Sequence, residues 1–203
     1  MEEYGYVSRY RSLRHDFYQW QDSAEVVQRL MLAFTFACLT GLGAYIRVYT
    51  PLSPVPFTGQ VFFVLLSGAV LGMRYGGISQ LMYVILGVVG VPWFAGGASG
   101  VEYMAGATGG YLVGFILAAL FVGYFVDRDA RARSLTGLVP VMITGVLIIY
   151  VVGASWLAIF LDLDLWQAIA LGIAPFLLLD VVKAILAAGA ARVLTERGPT
   201  VRT

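Results

Sequence analysis

The sequence predicts an all-α integral membrane protein with six transmembrane helices and both termini in the cytoplasm. Three observations lead there. Of the 203 residues, 60% are hydrophobic and only 12% charged, against about 25% charged in an ordinary soluble domain. Mean hydropathy is +0.83, so there is too little polar surface to clothe a water-soluble globule and lipid is the solvent for most of the chain. The remaining two observations are the division of the apolar residues into six segments and the one-sided distribution of arginine. Together they predict a multi-pass protein of the cell membrane.

Residues 1–24 read as a cytoplasmic extension, and 25–203 as one six-helix membrane domain. The extension carries Tyr4, Tyr6, Tyr10, Phe17, Tyr18 and Trp20 among Arg9, Arg11 and Arg14. Without an apolar stretch it is not a cleaved signal peptide. It reads either as an interfacial helix, with aromatics at headgroup depth, or as a partly disordered tail.

Each crossing needs about 20 apolar residues. The first segment runs from about Val26 to Ile46, the second from Gln60 to Met73, and the third from Gly76 to Val91. The second and third are short and are joined at Arg74-Tyr-Gly-Gly77, which predicts an antiparallel hairpin that reaches partway across or relies on snorkelling flanks. The fourth is Gly109 to Val126, the fifth Leu135 to Phe160, and the sixth Trp166 to Leu194.

Charge orients these spans. Arg9, Arg11, Arg14, Arg29, Arg74, Arg128, Arg131, Arg133, Arg192, Arg197 and Arg202 all fall on one side if the termini share a compartment, and the opposite loops carry only Arg47. The arginine-rich side is therefore cytoplasmic, and loops one, three and five face outward. Loop one is stiffened by Pro51, Pro54 and Pro56. Loop three, from Val91 to Thr108, combines Gly96, Gly97, Gly100 and Gly106 with Trp93, Phe94 and Tyr103. It suits a lid over an apolar ligand, with ordinary connection as the alternative.

Small residues recur on the first span at Ala33, Ala37 and Gly41, beside Thr40 and Ala44. Such a stripe admits close helix packing in lipid, against a partner protein or a neighbouring span of the same chain.

Several functions are excluded. A net charge of +1 with no basic run argues against nucleic-acid binding. One cysteine, Cys38, and one histidine, His15, leave no disulfide and no zinc or iron site. No Gly-x-x-x-x-Gly-Lys-Ser/Thr loop is present, so the chain does not itself hydrolyse ATP. No Ser-His or Cys-His couple can form within the spans, and an aspartyl protease would need a second carboxylate. Catalytic residues and metal ligands are therefore predicted to be absent, and binding or transport is favoured.

Asp180 and Lys183 are the only carboxylate and amine well inside an apolar segment, and at three residues apart they share one helix face. An ionisable group at the centre of a span costs about 2.5–3.5 kcal/mol on insertion scales. Such groups usually face a cavity, a partner or a ligand, which makes this pair the first candidate site.

The segment Pro54-Val-Pro-Phe-Thr58-Gly-Gln60 resembles the BioY family, the biotin-binding S components of energy-coupling-factor (ECF) vitamin transporters. The resemblance continues through Ser67-Gly-Ala-Val-Leu-Gly72, Leu86-Gly-Val-Val-Gly-Val-Pro92, Thr108-Gly-Gly-Tyr111, Gly153-Ala-Ser-Trp156-Leu and Asp180-Val-Val-Lys183. These landmarks are collinear from about Ala33 to Leu194, and the stretch before about Glu25 lies outside them. The resemblance implies the S-component fold and high-affinity capture of biotin from outside. It also implies two kinds of partner: a membrane-embedded coupling protein, docked on Ala33-Phe-Thr-Phe-Ala37, and two cytoplasmic ABC ATPases. Toppling of the loaded subunit in the bilayer is implied as the transport step. No cofactor is implied.

This chain departs from the family pattern where many relatives have a proline before Thr108-Gly-Gly, since Ala107 stands there. It also has Ala98 and Ser99 where some relatives place an Asn, and Leu112 where some place an Arg. These departures leave the carboxylate end of biotin without an assigned residue.

Biotin presents a ureido ring, an apolar thioether ring and a chain ending in carboxylate, so a site needs an acceptor, an aromatic wall and a distant donor. Asp180 is the expected acceptor for a ureido N–H, with Lys183 keeping it ionised and oriented or reaching toward the ligand. An internal ion pair without ligand contact is the alternative for both. Trp156, Trp93 and Tyr111 are the expected aromatic wall. Gln60 and Thr58 are expected to supply polar contacts or to cap the second span, and Ser99 to donate from the lid. Competing readings are an S component for another vitamin, a stand-alone membrane carrier, and an enzyme using Asp180 and Lys183 as acid and base.

Overall fold

A computed structural model describes residues 25–129 and 131–194. The N-terminal extension, the arginines within it, His15, Arg197, Arg202 and both chain ends lie outside the described residues. The chain is mostly helical: α1 (Val26–Tyr45), β1 (Arg47–Val48), β2 (Phe57–Thr58), α2 (Gln60–Val89), α3 (Val101–Ala105), α4 (Gly109–Arg128), a 3-10 turn (Arg131–Arg133), α5 (Leu135–Leu161), α6 (Leu165–Gly172) and α7 (Leu177–Leu194). By length and hydropathy, α1, α2, α4 and α5 can each cross a membrane, and the bent pair α6–α7 makes a fifth candidate.

Helix α1 starts where the Gln28 side chain accepts the Glu25 N–H at 3.0 Å. Its inward stripe is Ala33, Phe36, Ala37, Thr40, Gly41 and Ala44, spaced as one helical face. Ala33 and Ala37 are 0% exposed, and Gly41 lies against Trp93, whose ring atoms would sit 3.1–3.3 Å from a Cβ there. In the chain by itself these small residues pack inward, as the neighbouring-span reading of the stripe expects, with Gly41 admitting loop three. The outward face of α1 is instead built of Val27, Met31, Phe34 and Leu42.

The prolines of loop one keep 51–56 out of helix, and the loop closes as a short antiparallel ribbon pairing Arg47 with Thr58 and Val48 with Phe57. The Gly59 N–H donates to the carbonyls of Gly43 and Ile46, both at 2.9 Å. Loop one is thereby pinned to the end of α1.

Helix α2 is two limbs around Gly72, whose φ of 77° and ψ of −178° only glycine adopts readily. The limbs lie against each other. Gln80 Nε2 donates to Ser67 Oγ at 3.0 Å, and Gln60 Nε2 donates to Tyr83 Oη at 2.6 Å, across separations of 13 and 23 residues. The antiparallel hairpin expected from the sequence is present, but its turn is at Gly72. Arg74-Tyr-Gly-Gly77, the expected turn, is helical. Its glycines permit close packing instead: a Cβ on Gly76 would sit 2.8 Å from Gly68 Cα, and one on Gly77 would strike Leu120. At the break, Asp127 of α4 accepts the freed N–H of Met73 at 2.8 Å, which satisfies a donor left open at a helix start. At 1.5 Å rise per residue the first limb, 60–71, is about 18 Å long and the second, 73–89, about 26 Å.

Helix α5 is capped by Ser134, which accepts from Gly137 N at 3.1 Å. Pro140 lies within it, one turn past its start, and removes one intrahelical hydrogen bond there. The sequence reading of one continuous sixth span is corrected. Residues 173–176 interrupt it, and α6 and α7 meet at 54°. Pro175 is the physical reason, because it lacks an N–H and disfavours helix in the residue before it. Helix α6 has its own start, with Asp164 and Gln167 exchanging side-chain and backbone bonds at 2.9 and 3.0 Å.

Candidate ligand-binding site

The break at Pro175 restarts a helix inside the apolar body of the molecule, and this places Asp180 in the first turn of α7. A helix N-terminus favours negative charge. The turn is inverted relative to a soluble helix: Leu177, Leu178 and Leu179 are exposed, Leu178 to 75%, while Asp180 is 4% exposed. Leucines face lipid and the carboxylate faces protein.

Each oxygen of Asp180 has a donor. Tyr150 Oη, on α5, donates to Oδ2 at 2.8 Å, and Lys183 Nζ donates to Oδ1 at 2.6 Å. Lys183 Nζ also donates to the backbone carbonyl of Thr58 at 2.6 Å, tying α7 to loop one. Charge-assisted hydrogen bonds contribute about 1.5–3 kcal/mol each. Asp180 and Lys183 share three such bonds, together about 4.5–9 kcal/mol, against about 5–7 kcal/mol for two ionisable groups within a span. The carboxylate keeps unused acceptor capacity, since its two oxygens offer about four lone-pair sites.

These groups form part of the wall of a pocket that encloses about 520 Å³, counting the open space at its mouth. Loop one contributes Val55, Pro56 and Thr58; the start of α2 contributes Gln60 and Val61; loop three gives Ala95, Tyr103 and Thr108. Helices α4 and α5 add Tyr111, Leu112, Phe115, Ile149 and Tyr150, and Phe176 comes from the interruption itself. Tyr111 is seated on Gly153 and donates to the Gly172 carbonyl at 2.8 Å, satisfying an acceptor left open where α6 ends. Phe176 packs on Phe57 with centroids 4.6 Å apart. In loop three, Tyr103 stacks on Phe94 at 5.0 Å. Burial pushes its hydroxyl above the ordinary tyrosine value, against a smaller opposing effect of the Thr108 hydrogen bond. Tyr103 is therefore a neutral donor at the lid.

Of the residues the sequence nominated, Thr58, Gln60, Tyr111, Asp180 and Lys183 come together around this pocket. Thr58 engages Lys183 through its backbone carbonyl, and Gly59, not Thr58, occupies the cap position of α2. Trp93, Trp156 and Ser99 lie outside the lining. Trp93 is 9% exposed and bonded to Tyr83, its Nε1 donating to the Tyr83 carbonyl at 3.0 Å. Trp156 is 40% exposed, crosses Gly110 and donates to the Gly106 carbonyl at 2.8 Å. Both tryptophans hold loop three in place rather than form the pocket wall.

Tyr150 and Phe176 were missed from the sequence. Tyr150 did leave a trace, because a phenol amid Ile148-Ile-Tyr150-Val-Val needs a polar partner in lipid. Among the described residues, no group of His, Cys, Asp and Glu is arranged to hold a metal ion.

Comparison with known proteins places this geometry. A family model described as the BioY family matches residues 14–200, reaching further toward the N-terminus than the landmarks read from the sequence. The biotin transporter BioY of Thermotoga maritima is 40% identical over 162 residues, 80% of this chain and 92% of that protein. The probable biotin transporter BioY of Methanothermobacter thermautotrophicus is 44% identical over 142 residues, 66% of this chain and 90% of that protein. Among solved structures, the S-component for biotin from an ECF-type ABC transporter superposes with a TM-score of 0.79 at 25% identity, over 85% of this chain and 93% of that one. The chain belongs to the BioY family.

Proposed function

We propose that this protein captures biotin from outside the cell and is the substrate-binding S component of an ECF transporter in the cell membrane. The observation that carries the reading is the Asp180–Lys183–Tyr150 cluster in the pocket wall, with Asp180 and Tyr150 buried and Lys183 half-buried. A ureido group presents an N–H donor and a carbonyl acceptor side by side. Asp180 accepts the N–H with its remaining lone pairs, and Lys183 turns the third of its ammonium hydrogens to the carbonyl, two being engaged already. Tyr111 and Phe176 flank the ring system, and Tyr103 covers it from loop three.

In this reading the chain crosses the membrane six times with both ends in the cytoplasm. The folded-back limbs of α2 and the arginine asymmetry support it. A membrane-embedded coupling protein and two cytoplasmic ABC ATPases complete the transporter, since this chain has no phosphate-binding loop of its own. Transport then rests on binding here and ATP hydrolysis elsewhere, with no cofactor on this subunit.

Isothermal titration of biotin into the purified protein in lipid nanodiscs tests the reading. Saturable one-to-one binding is expected. A folded protein that gives no heat with biotin, yet binds another vitamin, would overturn it.

A further inference from the structure

We propose that Arg47, on the strand that leaves α1, receives the carboxylate of the bound ligand at the outer mouth of the pocket. The inference rests on the biotin reading, which requires a donor for an anionic end remote from Asp180. Among the described residues that line the pocket the only cation is Lys183, and its ammonium is already engaged by Asp180 and by the Thr58 carbonyl. The other lining residues nearest the loops, Val55, Pro56, Ala95, Tyr103 and Thr108, carry no charge.

Arg47 is the one cation of the outer loops, and three features tie it to the pocket. It pairs across the ribbon with Thr58, a lining residue, which brings the two Cα atoms within about 4.5–5.5 Å. Its guanidinium lies beside loop three: a Cβ added to Gly96 would sit 3.5 Å from Arg47 Nη1 and 3.2 Å from the Tyr49 hydroxyl. Gly96 has a φ of 94°, so glycine both permits that backbone and keeps the space beside the guanidinium open. The preceding residue, Ala95, lines the pocket. The Arg47 charge also acts on the hydroxyl of the half-buried Tyr103, a further lining group, in the direction that favours its anion.

The guanidinium has no carboxylate partner among the described residues. Its neighbours are the Tyr49 ring, with Cζ 5.6 Å from the centroid, and the Gly96 turn. It therefore keeps the planar donor fork that suits a carboxylate in two parallel hydrogen bonds. Lys183 and Arg47 then divide the ligand, one at the ureido end with Asp180 and one at the anionic end.

The test is titration of biotin and of neutral biotin amide into wild-type protein, Arg47→Gln and Arg47→Lys, all in nanodiscs, with melting temperatures recorded. Wild type should bind biotin more tightly than the amide. Arg47→Gln should weaken biotin about tenfold to a hundredfold while leaving the amide unchanged, and Arg47→Lys should recover part of the loss. Equal weakening of both ligands would show a role in loop structure and overturn the proposal, as would an unchanged biotin affinity. If wild type binds neither ligand, the biotin reading itself fails; if it binds both equally, only the role of Arg47 fails.

Discussion

Two helices of this protein are broken, and the breaks are put to different uses. In α2 the chain turns at Gly72, and the restarted helix is closed by Asp127, which reaches over from α4 to the Met73 N–H. Between α6 and α7 the chain bends at Pro175, and the restarted helix carries its own acid, Asp180. Each break places a carboxylate near a new helix start, where the backbone favours negative charge. They differ in what else the acid meets. A Cβ on Gly72 would be 2.8–3.0 Å from Asp127 Oδ2 and Cγ, so that carboxylate is packed against backbone and holds a hairpin together. Asp180 lines a cavity, and in the proposed reading its remaining lone pairs serve the ligand. A broken membrane helix becomes a site when its acid meets open space, and scaffold when it meets another helix.

Substitutions at the two breaks should separate along that line. The largest effect is expected at Asp180→Asn, which keeps shape but removes the charge: biotin affinity should fall by about 2–5 kcal/mol, roughly thirtyfold or more, in a protein that still inserts. At the other break, Gly72→Ala forces a side chain into a left-handed backbone beside Asp127. It should destabilise the fold by about 1–3 kcal/mol, seen as a lower melting temperature, while surviving folded protein binds biotin with unchanged affinity. Tyr150→Phe removes one bond to Asp180 and should weaken biotin about tenfold, measured by the same titration. Smaller still is Trp156→Phe, which frees the Gly106 carbonyl. It should cost about 1 kcal/mol of stability and alter affinity by less than threefold; a larger loss of affinity would return Trp156 to the pocket wall.

The same contrast explains which parts of the molecule could be read from sequence. Composition and the apolar segments revealed a multi-pass helical protein, because lipid demands long uninterrupted runs. Asp180 and Lys183 stood out because a charge within such a run is costly. The hairpin was legible, but its turn was placed at the glycines and arginine of 74–77, where composition is most loop-like, and not at Gly72, where backbone conformation decides. The interruption at Pro175 passed unread, because the residues on both sides are equally apolar. Trp93 and Trp156 illustrate a second limit. In lipid an aromatic is at ease facing inward or outward, so hydropathy does not say which side it takes; hydrogen bonds to the Tyr83 and Gly106 carbonyls do. For the same reason the small residues at Ala33 and Ala37 showed close packing without showing against what.

The most direct test pairs the two acids. Biotin should be titrated into Asp180→Asn and Asp127→Asn under identical conditions, with melting temperatures recorded for both. Loss of binding at least about thirtyfold in Asp180→Asn, with an affinity close to wild type but a lower melting temperature in Asp127→Asn, is the predicted result. Intact binding by Asp180→Asn, or equal loss of affinity in both variants, would contradict the assignment of the α6–α7 break as the ligand site.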